Sequence, residues 1–244
     1  MNAPQDLVHN IPGAASMQKA LSIVLTIVAA SVVVALLTYK FLSNRMHVQV
    51  EVPATDNQTA TDPAGAGTPM ETALTFQLTD EAGQPFTGDS LKGKISVVNF
   101  VFKNCKTVCP FIMSKTRGLA PDLQDFYDQV RFVSITVDPA NDTREVLAAW
   151  QKEVAVSGLE WKFVTGEKPA LLAAVKDQFK QTVMDNAADM NMPIAHSSYL
   201  VLVDADGKIA GFYDSNESFR IKELTEKAAS LAADLKKSRA HTTL

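Results

Sequence analysis

The sequence predicts an α/β sandwich built on a mixed central sheet, and three observations carry that expectation. "KISVVNFVF" (94–102) and "RFVSITVD" (131–138) are continuous runs of β-branched and aromatic residues, the pattern of strands buried on both faces. Helical patterns fall between and after these runs. "SYLVLVDADGKIAGFYD" (198–214) reads as a hairpin turning at Asp206-Gly207. Strands alternating with helices, closed by a hairpin and a last helix, give this architecture.

Taken in order, "LTFQLTD" (74–80) alternates as a half-buried strand, and "EAGQ" after it has turn chemistry. The helical patterns cover Phe111–Tyr127, Thr143–Glu153, Pro169–Phe179 and Ile221–Leu235. In such sheets sites form at the carboxyl ends of strands. The only two cysteines, Cys105 and Cys109, stand at that position, between the first buried run and the helix after it.

The N-terminal third has a different character. Residues 20–39, "ALSIVLTIVAASVVVALLTY", carry no charge and are bracketed by Lys19 and Lys40. At about 1.5 Å per residue such a helix reaches about 30 Å, the thickness of a hydrocarbon core. A cleaved signal peptide has a shorter apolar region and a small-residue cleavage site. We therefore expect a leader over 1–19 and a retained transmembrane anchor over 20–39. A flexible Ala/Thr/Pro/Gly-rich tether over 40–72 and the α/β domain over 73–244 follow it. Flanking Lys and Arg are nearly balanced, so charge alone does not orient the anchor.

A chain with 46% apolar and 20% charged residues supplies a packed core. Its net charge of −4 gives no global basis for nucleic-acid binding. The one basic cluster, Lys236-Lys237-Ser238-Arg239, reads as a solvated helix end favoured by the helix dipole.

Two cysteines are too few to staple a fold of this size, so the pair reads first as chemistry. Pro110 suits a first helical position, which puts Cys109 at the helix N-cap and Cys105 in the loop before it. Unpaired N–H groups at a helix start, with Lys103 and Lys106 nearby, favour thiolate, and thiolate is both nucleophile and metal ligand. The spacing is C-x-x-x-C, one residue longer than the C-x-x-C of dithiol exchangers. It suits two sulfurs sharing one ion and still permits a disulfide.

Two thiolates alone select Cu(I), zinc or an iron–sulfur cluster; a cluster and structural zinc both want further ligands. Of the four histidines, His9, His47 and His241 lie outside the α/β core pattern, whereas His196 immediately precedes a buried strand. Cys105, Cys109 and His196 together form an S₂N set suited to copper in either oxidation state. Met184, Met190 and Met192 precede His196 and are candidates to line its approach, or to fill gaps as methionines commonly do. Asp138 ends a strand near the expected site, where it is either a supporting acid or a loop residue.

"CKTVCP", "TVDPANDTREVL" (136–147), "WKFVTG" (161–166) and "HSSYLVLVDADG" (196–207) occur in an order and spacing that resemble the Sco/SenC family of membrane-tethered copper-binding proteins, over about residues 74–235. The resemblance implies a thioredoxin-like domain in which Cys105, Cys109 and His196 bind copper. It also implies delivery to the copper centre of a cytochrome oxidase, from an inner-membrane anchor with the soluble domain in the periplasm, or in the intermembrane space of a mitochondrion. The chain departs from the family pattern at Lys106 and Thr107, where many members have a Pro at the first position. It departs again at Ala195, where many have an acid.

The competing function is a thiol–disulfide oxidoreductase that uses Cys105 and Cys109 to reduce cysteines of an oxidase subunit or another copper protein. His196 separates the two readings: a metal site needs it and a dithiol exchanger does not. Delivery of a metal requires no turnover, so no enzymatic activity is expected from the first reading.

Overall fold

A computed structural model of the chain describes Ser31, Val34, Thr38 and residues 69–185 and 194–242. The chain divides into two compact units, Met1–Asn57 and Gln58–Leu244. In the first, the three described residues are helical, and the Thr38 hydroxyl donates to the Val34 carbonyl at 2.9 Å. Among the described residues no helix is long and apolar enough to cross a membrane. The leader, nearly all of the expected anchor over 20–39 and most of the tether lie outside them.

The second unit holds a seven-stranded mixed sheet. Its strands are β1 (Gln77–Asp80), β2 (Pro85–Thr87), β3 (Ile95–Val101), β4 (Val130–Thr136), β5 (Glu160–Thr165), β8 (Tyr199–Val203) and β9 (Ile209–Asp214), in the order β2-β1-β5-β4-β3-β8-β9. The centre, β3–β4–β5, is parallel, and the flanking pairs are antiparallel. A separate two-stranded ribbon joins β6 (Val183–Asp185) to β7 (Ile194–His196). The helices are α1 (Val108–Gly118), α2 (Arg144–Val154), α3 (Lys168–Ala173), which runs into a π turn over Ala174–Gln178, and α4 (Ser218–Thr242).

Every residue of β3 and β4 is buried, as their continuous apolar runs predict. Polar residues of both strands are tied into the core, although the Ser96 hydroxyl has no partner. Asn99 donates to the Thr116 hydroxyl of α1 at 2.9 Å, and the Trp161 indole donates to Ser134 at 2.9 Å. The helix expected over Phe111–Tyr127 is two pieces: α1 ends at Gly118 and a 3-10 helix covers Pro121–Phe126. Pro121 lacks the N–H that an unbroken helix needs and crowds the turn before it. The hairpin turns where the sequence places it, with Gly207 at φ +79° and the Asp204 carboxylate accepting from the Asp206 and Lys208 N–H groups. Strands β2 and β5 and the β6–β7 ribbon are additions to the sequence expectation.

Candidate metal centre

At the carboxyl end of β3 the chain passes from Val101 into the loop that carries Cys105. The Lys103 N–H lies 3.2 Å from both carboxylate oxygens of Asp142, whose side chain also accepts from the Thr136 hydroxyl at 2.6 Å. Asp142 is 1% exposed, so a buried carboxylate pins the start of the cysteine loop to the end of β4. The Lys103 side chain turns away from the sulfurs. Its ammonium pairs with Glu153 of α2 at 2.6 Å and sits 5.1 Å from the Trp150 ring centroid. Of the two lysines that the sequence places near the thiols, Lys103 is therefore engaged by α2, and Lys106 remains exposed.

Cys109 is not the N-cap. Thr107 holds that place without a side-chain cap, Val108 opens α1, Cys109 is second and Pro110 third. Proline is tolerated one position later than expected because none of the first-turn N–H groups has an acceptor within its helix. One of those groups finds a sulfur: Cys109 N–H donates to Cys105 Sγ at 3.4 Å, so the loop cysteine caps the helix. The Phe102 N–H in turn donates to Cys109 Sγ at 3.5 Å.

The imidazole arrives from the ribbon, in which Val183 pairs with His196. His196 Nδ1 lies 3.1 Å from the Ser197 carbonyl, a contact that orients the ring and turns Nε2 towards the sulfurs. Nε2 is 3.2 Å from Cys109 Sγ, and the Phe102 ring meets the imidazole edge-on with centroids 5.8 Å apart. The buried Gln181 steadies this end: its amide donates to the Phe179 carbonyl at 2.8 Å and its oxygen accepts from the Ser197 hydroxyl.

The three donor atoms of Cys105, Cys109 and His196 lie within 4.8 Å of one another. The two thiols are unlike. Burial pushes the Cys105 thiol up, but hydrogen bonding to His196 and from the Cys109 and Thr107 backbone outweighs it, and its pKa falls to about 5. Burial pushes the Cys109 thiol well above its usual range, with the negative charges of Cys105 and Asp142 adding to the rise. The pair thus loses one proton easily and holds the second, which a bound cation would displace.

Other candidates separate from this cluster. His241 is exposed near the end of α4, while His9, His47, Met190 and Met192 lie outside the described residues. Met184 is exposed and in register with Ala195, so strand alternation sets it on the face of the ribbon opposite His196. Asp138 accepts from the Asn141 side chain at 2.7 Å, as a loop acid does. The supporting acid is Asp142, which the sequence reading assigns to a helix start. Thr143 alone caps α2, its hydroxyl accepting from Val146 N–H at 3.4 Å, and the carboxylate one residue earlier is left for the cysteine loop.

A thioredoxin-like α/β fold with two thiols and an imidazole converging beyond its central strand defines a class of proteins that handle soft metal ions or exchange disulfides. Within that class the chain belongs to the SCO1/SenC family, whose model matches residues 65–233. It is 32% identical over 154 residues to the SCO2-like protein of Rickettsia felis, covering 61% of this chain and 72% of that one. Among solved structures it resembles a SCO1/SenC family lipoprotein from Bacillus anthracis, at 30% identity and TM-score 0.60 over 68% of this chain and 98% of that one. It also resembles the copper-bound ScoI of Bradyrhizobium japonicum, at 25% identity and TM-score 0.52 over 70% of this chain and 98% of that one.

Proposed function

We propose that this chain is a copper-delivery protein, anchored in the inner membrane through residues 20–39 with its α/β domain in the periplasm, that hands copper to the copper centre of a cytochrome oxidase subunit. The observation that carries the reading is the convergence of Cys105, Cys109 and His196 within 4.8 Å, each from a different part of the fold. Two sulfurs and one imidazole suit Cu(I) and Cu(II) alike, and an open three-donor set lets an acceptor's ligand enter before the donor's ligands leave. Membership of the family and likeness to a copper-bound relative support copper over zinc.

A second reading draws on the unequal thiols. The Cys105 thiolate attacks a partner disulfide, releasing one partner thiolate. Cys109 then gives up its proton and displaces the other, leaving a Cys105–Cys109 disulfide and a partner reduced by two electrons. This reading has no use for His196 as a ligand.

Copper titration of the reduced full chain, followed by absorption and electron paramagnetic resonance, separates the two. One equivalent of Cu(II) with sulfur-to-copper charge transfer and nitrogen coupling, the coupling lost in His196→Ala, is the expected result. No stoichiometric uptake of Cu(I) or Cu(II) overturns the delivery reading in favour of the dithiol.

A further inference from the structure

The sequence between Asp89 and Asp122 contains no acidic residue, although the whole chain has a net charge of −4. It contains six basic residues, which the structure sorts into two groups. Lys92, Lys94 and Lys103 pair with Asp89, Glu160 and Glu153 at 2.7, 2.8 and 2.6 Å. Lys106, Lys115 and Arg117 have no carboxylate partner among the described residues. All three belong to the cysteine loop or to α1, the elements that carry the sulfurs.

The same face exposes an aromatic ring. Phe111, two residues beyond Cys109, is 41% exposed, and the Lys115 ammonium lies 5.1 Å from its ring centroid. Thr107, Pro110, Phe111, Ser114 and Arg117 are all exposed along α1, at the three- and four-residue spacing of one helix face. Lys106 stands between the two cysteines and is exposed. The acids on the other flank of the site are engaged elsewhere: Asp142 is buried against Lys103 and Thr136, and Asp138 holds Asn141. The surface beside the sulfurs is therefore cationic and aromatic on the α1 side, and no carboxylate among the described residues pairs with it.

From this asymmetry we infer that the α1 face carrying Lys106, Phe111 and Lys115 is the docking surface for the copper acceptor, and that the acceptor presents an acidic surface beside its own metal-binding thiols. The inference rests on the copper-delivery reading. Cys105 and Cys109 are 5% and 1% exposed, so copper cannot leave by a glancing encounter. The acceptor's ligands must be brought in beside α1 and held while sulfur exchanges for sulfur. Unpaired cations around the exit draw an acidic acceptor into that orientation, and the exposed ring supplies an apolar contact once the two surfaces meet. An anionic membrane would satisfy the same charges but would cover the exit, so a protein surface is favoured.

The test uses the full chain in neutral detergent, loaded with Cu(I), and two synthetic acceptor peptides. Each peptide has two cysteines in the same spacing, flanked in one by glutamates and in the other by lysines. At low salt, transfer to the acidic peptide is expected to be roughly tenfold or more faster, with the advantage fading as ionic strength rises. Lys106→Glu combined with Lys115→Glu should abolish or reverse the preference, and Phe111→Ser should slow transfer to both peptides alike. Copper stoichiometry and the Cu(II) charge-transfer spectrum should stay unchanged in every variant. Equal rates for the two peptides, or a preference that survives the charge reversals, overturn the docking surface. So does lysine-dependent binding of the chain to phosphatidylglycerol vesicles without any peptide preference, which assigns the patch to lipid. Failure of the unmodified chain to take up copper instead overturns the reading beneath it, and the two failures are told apart at the loading step.

Discussion

The two halves of the candidate centre are built to different standards. The cysteine half follows a strand buried along its whole length and is tied down by Asp142, by the Lys103–Glu153 pair and by the sulfurs' own backbone contacts. The histidine half hangs on a ribbon of two three-residue strands outside the main sheet, secured chiefly through Gln181 and Ser197. An isolated two-stranded ribbon is marginal on its own. The contrast suggests a division of labour in which the sulfurs keep the ion and the imidazole completes or releases the site.

Removal of a sulfur should break this picture most severely. Cys105→Ala or Cys109→Ala is expected to weaken Cu(I) binding by at least about a hundredfold, above the range for residues that only support ligands, as read by competition with a chelator. His196→Ala should cost roughly tenfold or more and leave formation of a Cys105–Cys109 disulfide intact; equal losses from sulfur and imidazole would erase the distinction between the halves. Asp142→Ala tests the pinning. Each buried donor left unpaired, the Lys103 N–H and the Thr136 hydroxyl, is expected to cost about 1–3 kcal/mol in chemical denaturation. Loss of the carboxylate charge should also lower the Cys109 thiol pKa, measured by thiolate absorbance.

A gentler test uses pH. The Cys105 pKa falls on folding to about 5 from an ordinary 9.0, so the folded state binds fewer protons between those values. Stability of the reduced, metal-free protein should then rise with pH through that window and fall away as pH drops towards 5. Cys109 is shifted the other way and opposes this only above 9. Cys105→Ser should flatten the profile. The smallest effect belongs to Lys103→Met, which keeps the stem over Trp150 but loses a partly exposed ion pair. A change within about 0.5 kcal/mol and unaltered copper binding are expected, because the backbone N–H of this residue, not its ammonium, meets Asp142.

The cysteine half was largely legible in the sequence and the histidine half only in part, for physical reasons. Strands such as β3 and β4 announce themselves because burial on both faces demands uninterrupted apolar residues. In β5, Lys162 interrupts the run and is tolerated because it pairs with Asp80 at 2.8 Å, a partner 82 positions away. β6 and β7 are too short for any period to register. His196 could be singled out as the histidine beside a buried strand, but not the ribbon that aims it. Asp142 was hidden by Thr143: two cap-forming residues stood side by side, and only the three-dimensional path of Lys103 shows which carboxylate serves the loop. The position of Cys109 inside the first turn escaped because its N–H is satisfied by sulfur, an acceptor that rules for helix starts do not anticipate.

The far end of the sheet has a bearing on how the centre is presented. Met70 donates its N–H to Ile209 at 2.8 Å, Ala73 bridges to Lys208, and Leu74 donates to Gly207 at 3.0 Å. These contacts lie where β8 ends and β9 begins, beside the start of β3, whereas the cysteines follow its other end. The seven residues of β3 put roughly 20 Å between the two ends. The described chain thus enters the domain at the end of the sheet away from the cysteines. Load applied through residue 69 reaches the hairpin first, at the end of β3 opposite the cysteine loop. Immobilising the protein on a surface by its N-terminus should leave copper uptake as fast as in solution.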